Sequence, residues 1–246
     1  MMADDIKRTT MYSDADIMAT LQKYKEHAEA QGLIVYAIAL KGSQNYNLAD
    51  EESDIDANLV YIPTPRQLRA GTTYKYEFDE GEVVCHNIYD FAAIVAKGNP
   101  QWVEVCNTEY VIGDLSLFKH YKLNPSALKG MMMEKVHSFS KLYPSRAKFV
   151  KQFGYDPKQL HHIIRLYDCL NHDTPIFTYN DYDRDYMLSI KRGQSPGSVE
   201  KAEAVKEAYV KQLEALYETK KKAYIPQEVD YDLLDSILIK YYKEHL

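Results

Sequence analysis

Two small groups of residues have the types and spacing needed for phosphoryl transfer. Gly42 and Ser43 follow an apolar segment, and Asp54 and Asp56 flank Ile55 just before the apolar run 59–62. Because side chains alternate between the faces of a strand, two carboxylates one residue apart point the same way and suit Mg²⁺ or Mn²⁺. We predict that Asp54 and Asp56 are catalytic metal ligands, and that the backbone of Gly42 and the hydroxyl of Ser43 bind phosphate.

A second group lies on a helix that the apolar spacing predicts over residues 158–170. Its apolar stripe consists of Leu160, Ile163, Ile164, Tyr167 and Leu170. Lys158, His162 and Arg165 fall on the opposite face, because positions i, i+4 and i+7 of a helix lie close together. Such a face could bind phosphate, or it could be an ordinary solvated surface.

A third basic group, Lys191 and Arg192, precedes Gly193. These two residues could add phosphate contacts. They are also the residue types expected at the C-terminus of a helix, where the last carbonyl groups favour cations and glycine ends the helix. The sequence leaves both interpretations open.

The elements around these residues predict an α+β domain in the first half of the chain. A helix after Ser13 or Asp14 ends at Gly32 and leads into a buried strand over 33–40, and a second strand is predicted over 56–62. Residues 72–78 and 82–89 flank a Gly81 turn, which indicates a hairpin. Asp90 is expected to cap a short helix, and Pro100 to begin another.

The second half has almost no strand signal and predicts a helical bundle. Charge divides the chain of 246 residues in the same way, because residues 1–118 hold 9 Lys and Arg against 19 Asp and Glu, whereas 119–246 hold 21 against 17. We therefore expect a sheet domain over 1–118 and a helical domain over 119–246. An acidic first half suits divalent cations, and a basic second half suits phosphate groups.

Composition excludes some classes of protein. The chain has no apolar run of the roughly 18 residues that a membrane span needs, and its first residues are mixed and polar. Three widely spaced cysteines indicate neither a disulfide framework nor a zinc site. We expect a cytoplasmic protein with no membrane partner, and the sequence leaves the oligomeric state open.

The chain resembles the polymerase-beta-like nucleotidyltransferase superfamily, whose hallmark is Gly-Ser followed by Asp-x-Asp. Within it, the chain is most similar to the RNA-repair-associated branch of bacteria and phages. The similar positions are Gly42, Ser43, Tyr46 and Leu48; 53–56; 89–91; 97–100 with Glu104; 154–156 with Lys158, His162, Arg165 and Leu166; and 188–193. The resemblance implies a polymerase-beta-like sheet domain followed by a helical bundle. It also implies metal-dependent transfer of a nucleoside monophosphate from an NTP to a hydroxyl, with RNA as the expected acceptor, and it directs Lys158, His162 and Arg165 towards the nucleotide.

The chain departs from the family pattern at one position. Family members carry a third carboxylate about four residues before the equivalent of Tyr89, where this chain has Cys85 followed by His86. Glu82 lies three residues earlier with opposite strand parity, so it would need a bulge or register shift to replace the missing acid. Either Glu82, His86 or a displaced acid completes the site, or the chain is a catalytically weakened nucleotide- or RNA-binding protein. A third alternative is a toxin that modifies tRNA or protein on the same scaffold.

Overall fold

The first half of the chain forms a mixed five-stranded sheet. The computed structural model describes residues 12–51, 53–71, 73–176, 179 and 181–245. The strands are β1 (Ile34–Lys41), β2 (Asp56–Ile62), β3 (Tyr74–Phe78), β4 (Gly81–Asn87) and β5 (Val111–Gly113). Their order across the sheet is β3-β4-β2-β1-β5. Strands β2 and β4 are parallel and the other neighbours are antiparallel. The predicted hairpin is therefore confirmed, and β5 is an edge strand that the sequence analysis did not identify.

Ten α-helices occur in the described part of the chain. Four lie in the first half: α1 (Asp14–Ala30), α2 (Pro65–Ala70), α3 (Ile88–Ala96) and α4 (Pro100–Asn107). The other six are α5 (Pro125–Ser138), α6 (Ala147–Phe153), α7 (Pro157–His172), α8 (Asp181–Lys191), α9 (Val199–Ala223) and α10 (Tyr231–His245). Short 3₁₀ helices occupy Ser43–Tyr46 and Ser116–Phe118. The fold is thus of the α+β class.

Helix starts follow local side-chain chemistry. Ser13 caps α1 in a capping box with Asp16, as its position predicts. The prediction that Asp90 caps the next helix is wrong. The side chain of Asn87 accepts hydrogen bonds from the backbone N–H groups of Tyr89 and Asp90. Asp90 lies inside the first turn, where its negative charge favours the positive end of the helix dipole.

Two apolar layers cover the two faces of the sheet. On one face, Ile17, Leu21 and Tyr24 of α1 pack against strand residues such as Ile38 and Leu59. On the other, residues of α3, α4 and α10 pack against strand residues that include Ala39, Val60 and Ile62. Fully burying each large apolar side chain contributes about 1.5 to 3 kcal/mol, so these two layers are the main source of stability for the sheet.

The chain divides into two compact units, and the division differs from the predicted one. Thr9–Lys122 and Pro226–Leu246 form the sheet unit, whereas Leu123–Ile225 forms the helical unit. Within the sheet unit, Leu234 is buried in the second apolar layer, and Tyr89 donates a 2.5 Å hydrogen bond to Asp235. Tyr242 donates a further hydrogen bond to the carbonyl of Pro63. These contacts place α10 in the sheet unit, although the sequence analysis places it in the helical domain.

Helix α7 is the centre of the helical unit and packs against α5, α8 and α9. No strand occurs in the described residues of 123–225, as predicted. Helix α6 ends at Gly154, whose φ of 80° is in the left-handed region that glycine adopts without strain. In the described parts of both units, no helix has the length and apolar character that crossing a bilayer requires.

Candidate functional site

The Gly42 turn follows β1 directly and leads into the 3₁₀ helix. Gly42 has φ 88°, and its carbonyl accepts a 3.0 Å hydrogen bond from the N–H of Asn45. The side-chain amide of Asn45 donates to the carbonyl of Leu40 at 3.0 Å, and its oxygen accepts a 2.5 Å hydrogen bond from the hydroxyl of Thr108. The turn therefore has a fixed shape, held by buried polar side chains.

A second buried contact holds the same turn. The hydroxyl of Tyr46 donates to a carboxylate oxygen of Glu104 at 3.0 Å, and both residues are buried. A buried hydrogen bond to a charged acceptor is stronger than a neutral one. Tyr46 and Glu104 were identified from the sequence only as family-like positions, and the structure gives them a positioning role for the turn.

Asp54 and Asp56 lie where the chain enters β2. Asp56 is the first residue of the strand and is half-buried, whereas Asp54 is exposed and precedes the strand. The prediction that both carboxylates lie on a strand is therefore wrong for Asp54. Ile55 between them is fully buried, so the alternation of faces is nevertheless kept. The carbonyl of Ile55 accepts a 3.1 Å hydrogen bond from the hydroxyl of Tyr24, which fixes this entry segment.

Glu82 lies beside Asp56 on the neighbouring parallel strand. The backbone N–H of Glu82 donates a 3.1 Å hydrogen bond to Oδ1 of Asp56. The other carboxylate oxygen of Asp56, Oδ2, lies 4.0 Å from where a Cβ on Gly42 would be. Asp56 thus lies between the Gly42 turn and Glu82, and the three residues form one corner of the sheet.

Gly81 allows this close approach of β4 to the entry of β2. A Cβ at Gly81 would lie 2.4 Å from the carbonyl oxygen of Ile55, and its φ of 154° is one that other residues rarely adopt. The N–H of Ile55 donates a 2.7 Å hydrogen bond to the carbonyl of Glu80. Only glycine fits at position 81 with this spacing.

Cys85 does not occupy the place of a third carboxylate. Strands β2 and β4 pair without interruption, so that Cys85 is opposite Leu59 and packs in the apolar layer against α1. Burial raises the pKa of its thiol to about 12. The expectation that Cys85 occupies the acid position is wrong, because Glu82 shares the face of Asp56 without any bulge.

His86 lies further along β4, opposite Val60, and has different surroundings. Its ring meets the edge of Trp102 with centroids 4.7 Å apart, and burial lowers its pKa. A neutral imidazole packed on an aromatic ring is typical of a structural residue. Glu82 is therefore the better placed of the two candidates for the third acid.

Two lysines that the sequence analysis gave no role bind Glu82. Lys41 Nζ lies 3.0 Å from Oε1, and Lys75 Nζ lies 2.7 Å from Oε2. Hydrogen bonds from Lys75 and Lys41 hold the pKa of Glu82 below its usual value. Burial raises the pKa of Asp56, opposed by the N–H of Glu82 and by the charge of Lys41. A lysine at the end of a buried strand, next to Gly42, is the signal that could have identified Lys41.

The donor chemistry fits a hard divalent cation at Asp54 and Asp56, since both offer carboxylate oxygens. The neighbouring carboxylates of Glu82 and Asp54 also raise the pKa of Asp56, and a bound cation would relieve this repulsion. Glu82 fits less well, because its charge is already balanced by two lysines. Among the described residues, no group of three or more His, Cys, Asp or Glu side chains is arranged to hold a metal ion.

The basic residues of α7 are less exposed than the helical pattern predicts. Lys158 is exposed and His162 is half-buried, but Arg165 is only 4% exposed. The prediction of a cationic face directed away from the core is therefore wrong for Arg165. Burial, together with the nearby charges of His161 and Arg165, lowers the pKa of His162 well below its usual value. Of these three residues of α7, Lys158 is therefore an exposed cation, whereas His162 is neutral and Arg165 is buried.

Asp156 has a structural role at the start of α7. Its side chain accepts from the N–H of Lys158 at 3.0 Å and caps the helix. Both of its carboxylate oxygens accept from Arg146, at 2.6 and 3.0 Å. This cap and ion pair account for Asp156 in the family-like segment 154–156.

Lys191 and Arg192 lie at the C-terminus of α8. Lys191 is the last helical residue, and the N–H of Arg192 donates to the carbonyl of Leu188 at 3.0 Å. Gly193 follows with φ 72°, and a Cβ there would lie 2.6 Å from the ring of Phe153. The helix-end interpretation explains the order of these residues, and phosphate contact by Lys191 and Arg192 stays a prediction.

Comparisons with known proteins give a distant structural likeness. No family model matches the chain, and no curated protein matches it. Among solved structures, it is similar to a nucleotidyltransferase-like protein from Exiguobacterium sibiricum 255-15. The sequence identity is 14%, the likeness covers 83% of this chain and 75% of that chain, and the TM-score is 0.30. A likeness this distant carries no information about chemistry.

Proposed function

We propose that the protein is a metal-dependent nucleotidyltransferase that transfers a nucleoside monophosphate from an NTP to a hydroxyl group, with RNA as the acceptor. The observation that carries the proposal is the corner formed by Gly42, Asp56 and Glu82, where a tight turn faces two carboxylates on neighbouring strands. Asp54 precedes β2, and its negative charge acts on Asp56. Carboxylates that can hold a metal, beside a turn whose backbone can bind phosphate oxygens, support phosphoryl transfer.

In this proposal the acceptor hydroxyl oxygen forms a bond to the α-phosphorus. The bond from that phosphorus to the bridging oxygen breaks, pyrophosphate leaves, and the hydroxyl proton passes to solvent. A Mg²⁺ or Mn²⁺ ion held by Asp54 and Asp56 would supply neutralisation of the phosphate charge and a lower pKa for the hydroxyl. Gly42 lets phosphate oxygens approach the backbone, and Ser43 donates its hydroxyl to them.

The lysines adjust the charge of the corner. Lys41 is paired with Glu82 and is largely buried, with 12% of its side chain exposed. Burial raises the pKa of Asp56, and the charge of Lys41 opposes this effect. An entering triphosphate would compete with Glu82 for the ammonium groups of Lys41 and Lys75, which would free the Glu82 carboxylate. Nucleotide binding and completion of the acidic site would then occur together.

Single-turnover transfer with each of the four labelled NTPs, Mg²⁺ and an RNA acceptor tests this function. We expect Asp56→Asn and Glu82→Gln each to reduce transfer by at least about 100-fold, the usual range for loss of one electrostatic group at a reacting phosphate. Asp79→Asn is the matched control, because Asp79 is an exposed carboxylate in the neighbouring hairpin turn. Equal activity of all three variants would refute the site.

A second candidate is a nucleotide-binding protein without turnover. The observation that favours it is the double lysine pairing of Glu82, which leaves two carboxylates for a metal in place of three. The same assay separates the candidates when it is joined to calorimetry. NTP binding that persists in EDTA, with no transfer to any acceptor, would support the binding protein and exclude the enzyme.

A further inference from the structure

We propose that a surface of the helical unit, formed by Lys141, Tyr143, Arg146, Lys148 and Lys151, binds single-stranded RNA. We name it the 141–151 surface. It includes the loop before α6 and the exposed side of that helix. None of these five residues belongs to the corner around Asp56. The inference deepens the proposed function, on which the choice of RNA rests, by giving the acceptor a place to bind.

Uncompensated positive charge is the first observation behind the proposal. No Asp or Glu occurs between Lys135 and Tyr155. Lys141, Lys148 and Lys151 are exposed, and the structure pairs none of the three with an acid among the residues it describes. This surface therefore offers at least three cations to a polyanion.

The nearest acid along the chain does not reduce this charge. Asp156 is only 1% exposed, and its carboxylate is occupied by Arg146 and by the first turn of α7. The pair neutralises Asp156 internally and holds Arg146 beside α6. Because the acid is buried, it repels no phosphate at the surface.

Exposed apolar and aromatic groups are the second observation. Leu142 is 62% exposed and Tyr143 is 46% exposed, in a loop where the N–H of Arg146 donates to the carbonyl of Tyr143 at 2.9 Å. The guanidinium of Arg146 lies 4.0 Å from the centre of the Phe149 ring, and Lys148 Nζ lies 4.7 Å from it. Cations are thus held next to aromatic rings over this short segment.

This combination favours a single strand over a duplex. Unpaired bases expose faces that stack on tyrosine and arginine, while lysines track the phosphates. A duplex hides its base faces and would use only the charges. A membrane surface would require an amphipathic helix with a broad apolar face, whereas α6 is seven residues long and buries Val150.

The test is fluorescence anisotropy of a labelled, unstructured RNA 20-mer with the full chain in EDTA, without NTP, over a series of salt concentrations. Each phosphate contact with single-stranded nucleic acid contributes about 0.7 to the salt slope. We therefore expect Lys148→Gln with Lys151→Gln to weaken binding about 20-fold at 0.1 M salt and to lower the slope by about 1.4. Tyr143→Ala should weaken binding about tenfold with an unchanged slope.

The matched control removes two exposed lysines from α9, where lysines alternate with glutamates: Lys201→Gln with Lys211→Gln. It should change affinity less than about twofold, because neighbouring acids already offset these charges. An equal loss in this control, or no loss in the Lys148 and Lys151 variant, would overturn the proposal. Equal affinity for duplex RNA or for single-stranded DNA would also overturn it.

The outcome is independent of catalysis. Asp56→Asn should bind RNA as the wild type does, because Asp56 lies outside the 141–151 surface. RNA binding by an inactive protein would support the surface and refute only the transfer reaction. Transfer to RNA that survives loss of Lys148 and Lys151 with unchanged affinity would refute only the surface.

Discussion

At the scale of single residues, the parity of two neighbouring strands decides which side chains share the corner. Glu82 and Asp56 lie on one face because β2 and β4 pair in continuous register, and the same register directs Cys85 into the apolar layer. Counting four residues back from Tyr89 gives Cys85, which faces the apolar layer. The count fails because the sequence alone does not show how β2 and β4 pair. Glu82 is evident in the sequence, but its position beside Asp56 follows only from the strand pairing.

Substitution of Cys85 by an acid tests this geometry. Cys85→Asp should lower the free energy of unfolding by at least about 3 kcal/mol, because it buries a carboxylate among apolar side chains without a partner. It should not increase nucleotide transfer. Urea denaturation and the transfer assay measure the two effects, and Cys85→Ala is the control for lost volume. A stable Cys85→Asp variant with increased transfer would show that position 85 faces the site.

At the scale of elements, glycines allow the strands around the corner to approach closely, and caps fix where helices begin. The sequence predicts the hairpin, the β2 strand and the α1 cap because each follows from local patterns. It does not predict β5, which has three residues and is stabilised by pairing with β1. It also does not predict that Arg165 is buried. Helical periodicity identifies one apolar face of α7, but it does not show that α5, α8 and α9 all pack around this helix.

Gly81 offers a test at this scale. Gly81→Ala should lower the free energy of unfolding by about 3 kcal/mol and reduce transfer, since its Cβ would collide with the carbonyl of Ile55 and move Glu82 from Asp56. Gly71→Ala is the matched control, because Gly71 also has a positive φ, 60°, but nothing within 4 Å of the added Cβ. It should cost about 1 kcal/mol and leave transfer unchanged.

The ion pair at the start of α7 predicts a pH dependence. Burial alone would raise the pKa of Asp156, but hydrogen bonds from Arg146 and Gln159 outweigh it and leave the pKa below its usual value. A lowered pKa means that the pair stabilises the fold above about pH 4 and that this contribution is lost as the pH falls further. Asp156→Asn keeps a helix cap but removes the charge.

We expect Asp156→Asn to cost about 2 kcal/mol at pH 7 and less as the pH falls below about 4, because the unfolded wild-type chain then takes up a proton that the folded carboxylate resists. Denaturant titrations of both proteins across pH 3 to 7 measure the difference. A constant gap between the two curves over that range would show that the ion pair contributes nothing.

At the scale of the whole molecule, the change of charge along the chain does not coincide with the division into two compact units. Residues 119–246 carry the basic excess, and most of them form the helical unit, but α10 packs in the sheet unit. The spacing of apolar residues in α10 predicts a helix and one buried face. The spacing cannot predict which unit that face packs against, because α10 contacts residues more than a hundred positions away in the chain.

The return of Pro226–Leu246 also imposes an order on biosynthesis. Gln227 exchanges hydrogen bonds of 2.7 and 3.0 Å with the backbone of Lys122, so the chain leaves and re-enters the sheet unit at neighbouring points. Every residue of Leu123–Ile225 is translated before α10, whereas α3 and α4, which belong to the same apolar layer, are translated earlier. During translation the helical unit can therefore fold while the sheet unit still lacks Leu234 and the rest of α10, and only the last residues to emerge complete that layer.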